Sequence, residues 1–121
     1  MSYETQLTCP IQRTIALMGD KWKILVFIAL SAGPMRFGNV QRALSGVTAK
    51  VLTRQLRDLE KDGFLTRTVF AEVPPRVEYA LTDLGRSFLP IVQQLKDWAE
   101  AHSAELIARH ESVSAEQLVS A

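Results

Sequence analysis

The chain has 121 residues, of which 47% are hydrophobic and 22% charged, with a net charge of +1. These proportions fit a soluble globular domain and exclude a disordered chain. The longest apolar run, residues 24–30, is far shorter than the roughly 20 residues of a membrane helix. Since no basic segment leads into an apolar run at the start, we expect no secretory signal and no contact with a membrane.

The distribution of charge is more informative than its sum. Residues 36–86 hold nine Lys/Arg against six Asp/Glu, whereas residues 87–121 hold two against five. A basic middle and an acidic end are expected when one part of a protein faces phosphate and another faces solvent or a partner. The single cysteine, Cys9, excludes an intramolecular disulfide and fits the reducing cytoplasm, where we expect the protein to act.

The first third of the chain predicts two helices. The first helix begins near Pro10, with Thr8 or Cys9 as its cap, and ends at Gly19. Asp20 then caps a second helix that runs from residue 21 to about residue 31. This helix is apolar almost all round, which predicts a buried position at the centre of the domain. Gly33-Pro34 ends it, and residues 35–37 form a short extended segment.

Two further helices follow around a tight turn. The third covers about residues 37–44, and Ser45-Gly46 forms the turn. Thr48 caps the fourth helix, which extends to about Asp62 and is stopped by Gly63. At 100° per residue, one narrow stripe of this helix carries Leu52, Leu56 and Leu59. The opposite side carries Lys50, Thr53, Arg54, Arg57 and Lys61.

The remainder predicts a β-hairpin and a long helix. Residues 64–71 and 76–81 have strand composition or alternation on either side of Pro74-Pro75. Thr82 caps a last helix with a long apolar face. We therefore predict a mainly α protein with a small β-hairpin, in the α+β class. It forms a single domain over residues 1–121, with its core at about 9–100 and a C-terminal helix and tail at about 101–121.

Helix, turn, basic helix and hairpin in this order are the plan of a winged helix-turn-helix protein. A major groove about 12 Å wide admits one helix, which must be apolar behind and polar in front. The early turns of such a helix touch base edges, and its later turns contact phosphate. Arg76, expected at the hairpin tip, is placed to enter a minor groove. The predicted DNA-binding set is Arg36, Thr48, Ala49, Lys50, Thr53, Arg54, Arg57, Lys61 and Arg76.

An enzyme is the main class of function that competes with a DNA-binding protein. The chain has no Gly-rich phosphate loop, zinc-protease motif or nucleophile elbow, so we predict no enzyme, cofactor or metal site. The two histidines, His102 and His110, are eight residues apart and do not share adjacent helical turns. Two alternatives stay open: a winged-helix module that binds proteins, and a regulator with a small-molecule pocket. The aromatic residues considered for that pocket are Trp22, Tyr79, Phe88 and Trp98.

Several stretches carry a resemblance to a known family. They are Cys9-Pro10, Gly19–Lys23, Gly33–Phe37, Gly46–Thr53, Leu56–Glu60, Asp62-Gly63 and Val73–Gly85. With these motifs the chain resembles the HxlR-type bacterial transcriptional regulators, relatives of the MarR-like proteins. The resemblance implies a homodimer that binds a pseudo-palindromic operator in double-stranded DNA with one recognition helix per half-site. Repression is the default for so small a chain. The first and last helices would form the dimer, through Ile11, Ile91, Leu95 and Trp98.

Cys9 is the candidate sensor. Some members of the family resemble thiol sensors, and a cysteine at a helix N-terminus feels the positive end of the helix dipole, which favours the thiolate. The alternative is that Cys9 is a small apolar residue packed at the dimer interface. If Cys9 is the sensor, its disulfide must be intermolecular, and the effector would be an oxidant or electrophile rather than another small molecule.

Overall fold

The computed structural model describes residues 9–109, and the predictions for residues 1–8 and 110–121 lie outside that range. The chain divides into two compact units, one that ends at Pro90 and one that begins at Ile91. Residues 103–109 are helical. In chain order the elements are α1 (Pro10–Met18), α2 (Lys21–Leu30), β1 (Met35–Arg36), α3 (Phe37–Ala43), α4 (Ala49–Lys61), β2 (Leu65–Phe70), β3 (Arg76–Leu81) and α5 (Asp83–Ala101).

Three of the four predicted caps are confirmed as side-chain caps, while Cys9 is the N-cap residue of α1 but makes no side-chain capping bond. Asp20 Oδ1 accepts hydrogen bonds from the backbone N–H groups of Trp22, at 3.0 Å, and Lys23, at 3.2 Å. Thr48 Oγ1 accepts from the N–H of Val51 at 3.2 Å, at the start of α4. Thr82 Oγ1 accepts from the N–H of Gly85 at 3.1 Å, at the start of α5. Each cap satisfies an N–H group that has no partner inside its helix, so each fixes where that helix begins.

Two glycines shape the ends of the basic helix. Gly46, in the turn before α4, has a φ of 93°, and Gly63, just after α4, has a φ of 86°. At the end of α4 the N–H of Phe64 donates to Leu59 O at 2.9 Å, and that of Gly63 donates to Glu60 O at 3.1 Å. This pair of bonds is the Schellman pattern, which needs a left-handed residue between the helix and the following strand.

The sheet has three antiparallel strands in the order β1-β3-β2. The predicted hairpin is present, with Leu65 paired to Leu81 and Phe70 paired to Arg76. The predicted extended segment at residues 35–37 adds a third strand, since Met35 pairs with Tyr79 and Arg36 with Glu78. A strand of two residues has no periodicity to detect, so the sequence showed only that this segment was extended.

The core of the first unit lies between α2, α4 and the sheet. Phe27 is fully buried, and its ring meets those of Phe64 and Phe88 edge-on, with centroids 5.5 and 5.3 Å away. The prediction that α2 is buried on all sides is only partly correct, because Val26, Phe27 and Leu30 are buried while its other apolar side chains are half-buried. The other buried apolar side chains of this unit are Val40, Leu44, Val47, Leu52, Leu56, Leu59, Leu65, Leu81 and Phe88.

Candidate nucleic-acid interface

Helix α4 separates an apolar face from a basic face. Leu52, Leu56 and Leu59 are almost completely buried, as the leucine stripe predicts. The side chains of Lys50, Arg54, Arg57 and Lys61 are exposed on the other side. Burial of the leucines fixes the rotation of the helix about its axis, because turning it would expose all three to water. The basic side chains are therefore held outward on one surface.

Among the described residues, these basic side chains have no acidic partners. Within residues 9–109, other cations form ion pairs: Lys23 with Asp58, Arg76 with Glu72 and Glu78, and Arg86, Lys96 and Arg109 with neighbours on their helices. In the same range, the exposed cations that make no ion pair or ring contact are Arg36, Arg42, Lys50, Arg54, Arg57, Lys61 and Arg67. Four of these seven lie on α4, while Arg42 on α3 donates a hydrogen bond to Asn39 Oδ1. The unneutralised positive charge is thus concentrated on the helix that was predicted to enter the major groove.

Thr53 lies among these cations. Its hydroxyl donates a hydrogen bond to Ala49 O at 2.7 Å, one turn earlier in α4. The side chain is half-exposed, and Thr48 and Ala49 are exposed at the start of the helix. The predicted residues therefore lie at the exposed N-terminal end of α4 and along the basic face that continues from it.

A polar link joins α4 to the start of α2. Gln55 is buried within the leucine stripe, at 5% exposure, and its Nε2 donates to Asp20 Oδ2 at 3.2 Å. Beside this bond, Lys23 Nζ lies 3.6 Å from Asp58 Oδ2. Gln55 Oε1 is buried and has no partner among the described residues. Asp20 thus caps α2 with one oxygen and holds α4 with the other.

We expect Asp20→Ala to lower the free energy of unfolding by about 2 kcal/mol, since it removes the cap of α2 and leaves the buried Gln55 amide without its acceptor. Asp20→Asn is the matched control, because asparagine keeps an oxygen that can cap the helix. Urea unfolding of the two variants and the wild type gives the comparison. Equal stability of Asp20→Ala and the wild type would show that this link contributes nothing.

The hairpin places Arg76 differently from the prediction. Arg76 does not lie at the tip: it is the first residue of β3, opposite Phe70, and residues 71–75 form the connection beyond it. Its guanidinium lies 3.2 Å from Glu72 Oε1 and 3.5 Å from Glu78 Oε1, and its Cζ lies 4.1 Å from the centre of the Phe70 ring. This cluster could not be predicted from local patterns, because it forms only when the bend of the connection brings Glu72 back to Arg76.

Cys9 is exposed at the N-cap of α1, and its side chain makes no capping hydrogen bond. Its backbone oxygen accepts from the N–H of Arg13 at 3.2 Å. Lys21, at the start of α2, places its Nζ 4.4 Å from the centre of the Trp22 ring. The thiol is thus accessible at the start of a helix.

The predicted dimer residues are exposed apolar side chains. Ile11 on α1 is 63% exposed, and on α5 the values are 47% for Ile91, 40% for Leu95 and 55% for Trp98. Ile91, Leu95 and Trp98 follow one another at spacings of four and three, so they share one side of α5. Trp98 also stacks on His102, with ring centroids 4.7 Å apart.

The remaining alternatives for the described residues are a metal site, a membrane span and an aromatic pocket. Within residues 9–109, no group of three or more His, Cys, Asp or Glu side chains is arranged to hold a metal ion. None of the helices in that range has the length and hydropathy of a membrane span. His110 lies outside the described residues. Of the aromatic residues considered for a pocket, Phe88 packs against Phe27 in the core and Trp22 lies under Lys21.

Sequence reasoning missed two residues, one an exposed cation and the other a buried polar residue. Arg67 is an exposed cation on β2, and alternation within a strand gave it no distinguishing mark. Gln55 is the buried polar residue of α4, and its position three residues after Leu52 and four before Leu59 already places it within the leucine stripe. A polar residue inside an apolar stripe predicts a buried hydrogen bond, so this signal was available.

Comparison with known proteins agrees with this geometry. A family model described as HxlR-like helix-turn-helix matches residues 17–106. The HTH-type transcriptional regulator YybR of Bacillus subtilis (strain 168) is 42% identical over 100 residues, which cover 83% of this chain and 80% of YybR. The redox regulator HypR in its reduced form superposes with a TM-score of 0.77 and 41% identity, covering 83% of this chain and 99% of HypR.

A second redox-related structure, diamide-treated YodB from B. subtilis, superposes with a TM-score of 0.65 and 29% identity over 78% of this chain and 95% of YodB. The winged fold, the exposed basic face of α4 and the family match over most of the chain lead to one conclusion. The chain belongs to the HxlR-like helix-turn-helix family and is a DNA-binding transcriptional regulator of the winged-helix type.

Proposed function

We propose that the chain is a repressor that binds a pseudo-palindromic operator as a homodimer and acts in the cytoplasm, with no catalytic step of its own. The observation that carries the proposal is the set of exposed cations on α4 that have no acidic partner within residues 9–109. A phosphate or a base edge can take up a cation that no carboxylate already neutralises. In this proposal, Thr48, Ala49, Lys50, Thr53 and Arg54 lie along base edges, and Arg36, Arg57 and Lys61 contact phosphate. The wing (β2, β3 and residues 71–75) lies beside the neighbouring minor groove.

Fluorescence anisotropy with DNA from upstream of the chain's own gene tests this proposal, with a scrambled duplex of the same composition as the control. We expect the upstream duplex to bind more tightly, and its log affinity to fall steeply with log salt concentration. Equal affinity for both duplexes across several candidate regions, or an affinity independent of salt, would argue against specific operator binding and favour a protein-binding module.

The dimer is proposed from the exposed apolar side of α5 and from Ile11 on α1. Isolated apolar side chains are normal on a surface, but a row that includes a half-exposed tryptophan is typical of an interface. Two copies of the chain would bury these rows against each other. Two recognition helices would then face half-sites about one helical turn apart.

Leu95→Glu should shift the protein towards the monomer, because a carboxylate buried in an apolar interface has no partner there. We expect the dimer dissociation constant to rise by about 100-fold or more in sedimentation equilibrium. Gln93→Glu adds the same charge on the opposite side of α5 and should leave the dimer intact. A wild-type chain that sediments as a monomer at micromolar concentration would exclude this interface.

Oxidant response is proposed for Cys9. HypR, which shares the fold, is described as a redox regulator. YodB, which also shares it, is described in a reduced form and in a diamide-treated form. In this chain Cys9 is exposed at the N-terminus of α1, where an oxidant can reach the thiol. Because it is the only cysteine, oxidation must join it to another molecule. Two Cys9 thiols, or Cys9 and a small thiol, would lose two electrons and two protons to the oxidant and form one disulfide.

Cys9→Ser should bind the operator as the wild type does under reducing conditions, and keep that affinity after treatment with diamide. The wild type should lose about tenfold or more in affinity and recover it with dithiothreitol, a size typical of coupling between sites. Anisotropy titrations of both proteins, with and without oxidant, give the comparison. Loss of affinity in Cys9→Ser equal to that of the wild type would exclude Cys9 as the sensor. Indifference of the wild type would direct the search to small-molecule effectors.

A further inference from the structure

Arg76 contacts both strands of the wing and the connection between them. The guanidinium of Arg76 joins three parts of it: the ring of Phe70 at the end of β2, the carboxylate of Glu72 in the connection, and the carboxylate of Glu78 in β3. The N–H of Glu72 also donates to Phe70 O at 2.9 Å. We name these four residues, Phe70, Glu72, Arg76 and Glu78, the wing clasp.

The clasp uses most of the binding capacity of the guanidinium. One terminal nitrogen faces Glu72, the other faces Glu78, and the flat face lies over Phe70. The Nε of Arg76 is buried with no partner among the described residues, and the side chain is only 27% exposed. A phosphate or a base edge would have to displace a carboxylate and the ring before it could meet this arginine.

The charge of the clasp also opposes a direct contact with DNA. Two carboxylates surround one guanidinium, so the cluster carries a net negative charge. If Arg76 turned towards DNA, it would leave Glu72 and Glu78 unpaired close to phosphate, and like charges at such distances repel. In this respect Arg76 differs from the cations of α4, none of which pairs with a carboxylate in the described part of the chain.

We propose that Arg76 acts on DNA binding as a positioning residue, which sets the shape of the wing by holding residues 71–75 against the sheet rather than by contacting DNA itself. This inference rests on the proposed operator binding. A wing whose connection is fixed before binding loses less conformational entropy when it meets DNA. Breaking the clasp should therefore weaken binding without removing a phosphate contact.

The first test uses the free protein. Hydrogen exchange at the amide of residue 72, which donates to Phe70 O, should accelerate by about tenfold in Arg76→Ala and in Glu72→Ala after division by the intrinsic rate of each sequence, because either change opens the clasp. Arg67→Ala is the matched control: it removes an arginine from the same hairpin that has no ion pair among the described residues. Unchanged exchange in both clasp variants would overturn the proposal whether or not the protein binds the operator, since no DNA is present.

The second test uses DNA. Arg76→Ala should weaken operator binding by about tenfold with an unchanged slope of log affinity against log salt, whereas a lost phosphate contact lowers that slope by about one. A double-mutant cycle with Glu72 gives the sign of the coupling. If the clasp positions the wing, the effect of Glu72→Ala on affinity should be less favourable in the wild type, where it breaks the clasp, than in Arg76→Ala, where the clasp is already broken. If Arg76 contacts DNA directly, the effect of Glu72→Ala should be more favourable in the wild type, because it frees Arg76 for DNA. That result, or a reduced slope, would overturn the proposal.

Discussion

Replacing Lys50 and Arg54 together by alanine should reduce operator affinity by about 100-fold or more. Both side chains lie in the first two turns of α4, exposed and without acidic partners among the described residues. A specific contact from such a position contributes about 1–3 kcal/mol, and a phosphate contact adds about one to the salt slope. We therefore expect a large loss for the operator, a smaller loss for the scrambled duplex and a shallower salt dependence.

The matched control is the pair Lys96→Ala and Arg109→Ala. It removes the same number of positive charges, but from side chains that already pair with Glu100 and Glu105. Anisotropy titrations at three salt concentrations compare the two double variants, and circular dichroism checks that both are folded. If the control loses as much affinity as the α4 variant, then net charge rather than the face of α4 determines binding.

Gly85→Ala should destabilise the protein by about 3 kcal/mol or more, which for a domain of this size lowers the melting temperature by about 10–20 °C. A Cβ atom at residue 85 would lie 2.2 Å from Phe64 O and 3.2 Å from Leu81 Cδ2. Phe64 O also accepts the N–H of Thr82 at 3.0 Å, so this carbonyl cannot move away without losing a bond. The first turn of α5 would have to shift off the sheet.

Gly38→Ala provides the contrast. In α3 the added methyl group would meet only the far end of the Arg42 side chain, at 3.9 Å, so it should stabilise the helix by about 0.4–1 kcal/mol. Thermal and urea unfolding of the two variants measure the difference. Similar stability of Gly85→Ala and the wild type would show that α5 does not pack as closely on Phe64 as these distances require.

The sequence predicted the helices well because each carries more than one signal. Helix α4 has a cap at Thr48, a leucine stripe and a terminal Gly63, and its predicted ends are within one residue of those in the structure. Strand β1 was harder to predict, since two residues cannot show alternation and its partner is more than 40 positions away along the chain. Its pairing is set by tertiary structure, which local patterns do not contain.

The residues of the candidate site also differ in how well the sequence predicts their surroundings. The exposed cations of α4 follow directly from helical periodicity, because the face opposite a buried stripe must be exposed. The surroundings of Arg76 could not be predicted, because they depend on the path of residues 71–75, for which the sequence offered only Pro74-Pro75. Side chains fixed by the geometry of one regular element are therefore predictable, and those fixed by a connection are not.

The hydrogen bond between the Thr53 hydroxyl and Ala49 O has a consequence for the base code of the major groove. A hydroxyl has one hydrogen, and here that hydrogen is used within the helix. In this rotamer Thr53 offers only an acceptor and a methyl group. Its natural partners are then the amino group of adenine or cytosine and the methyl group of thymine, while guanine presents only acceptors at its major-groove edge. For the base contact proposed for Thr53, this intrahelical bond thus narrows the set of bases that the side chain can meet.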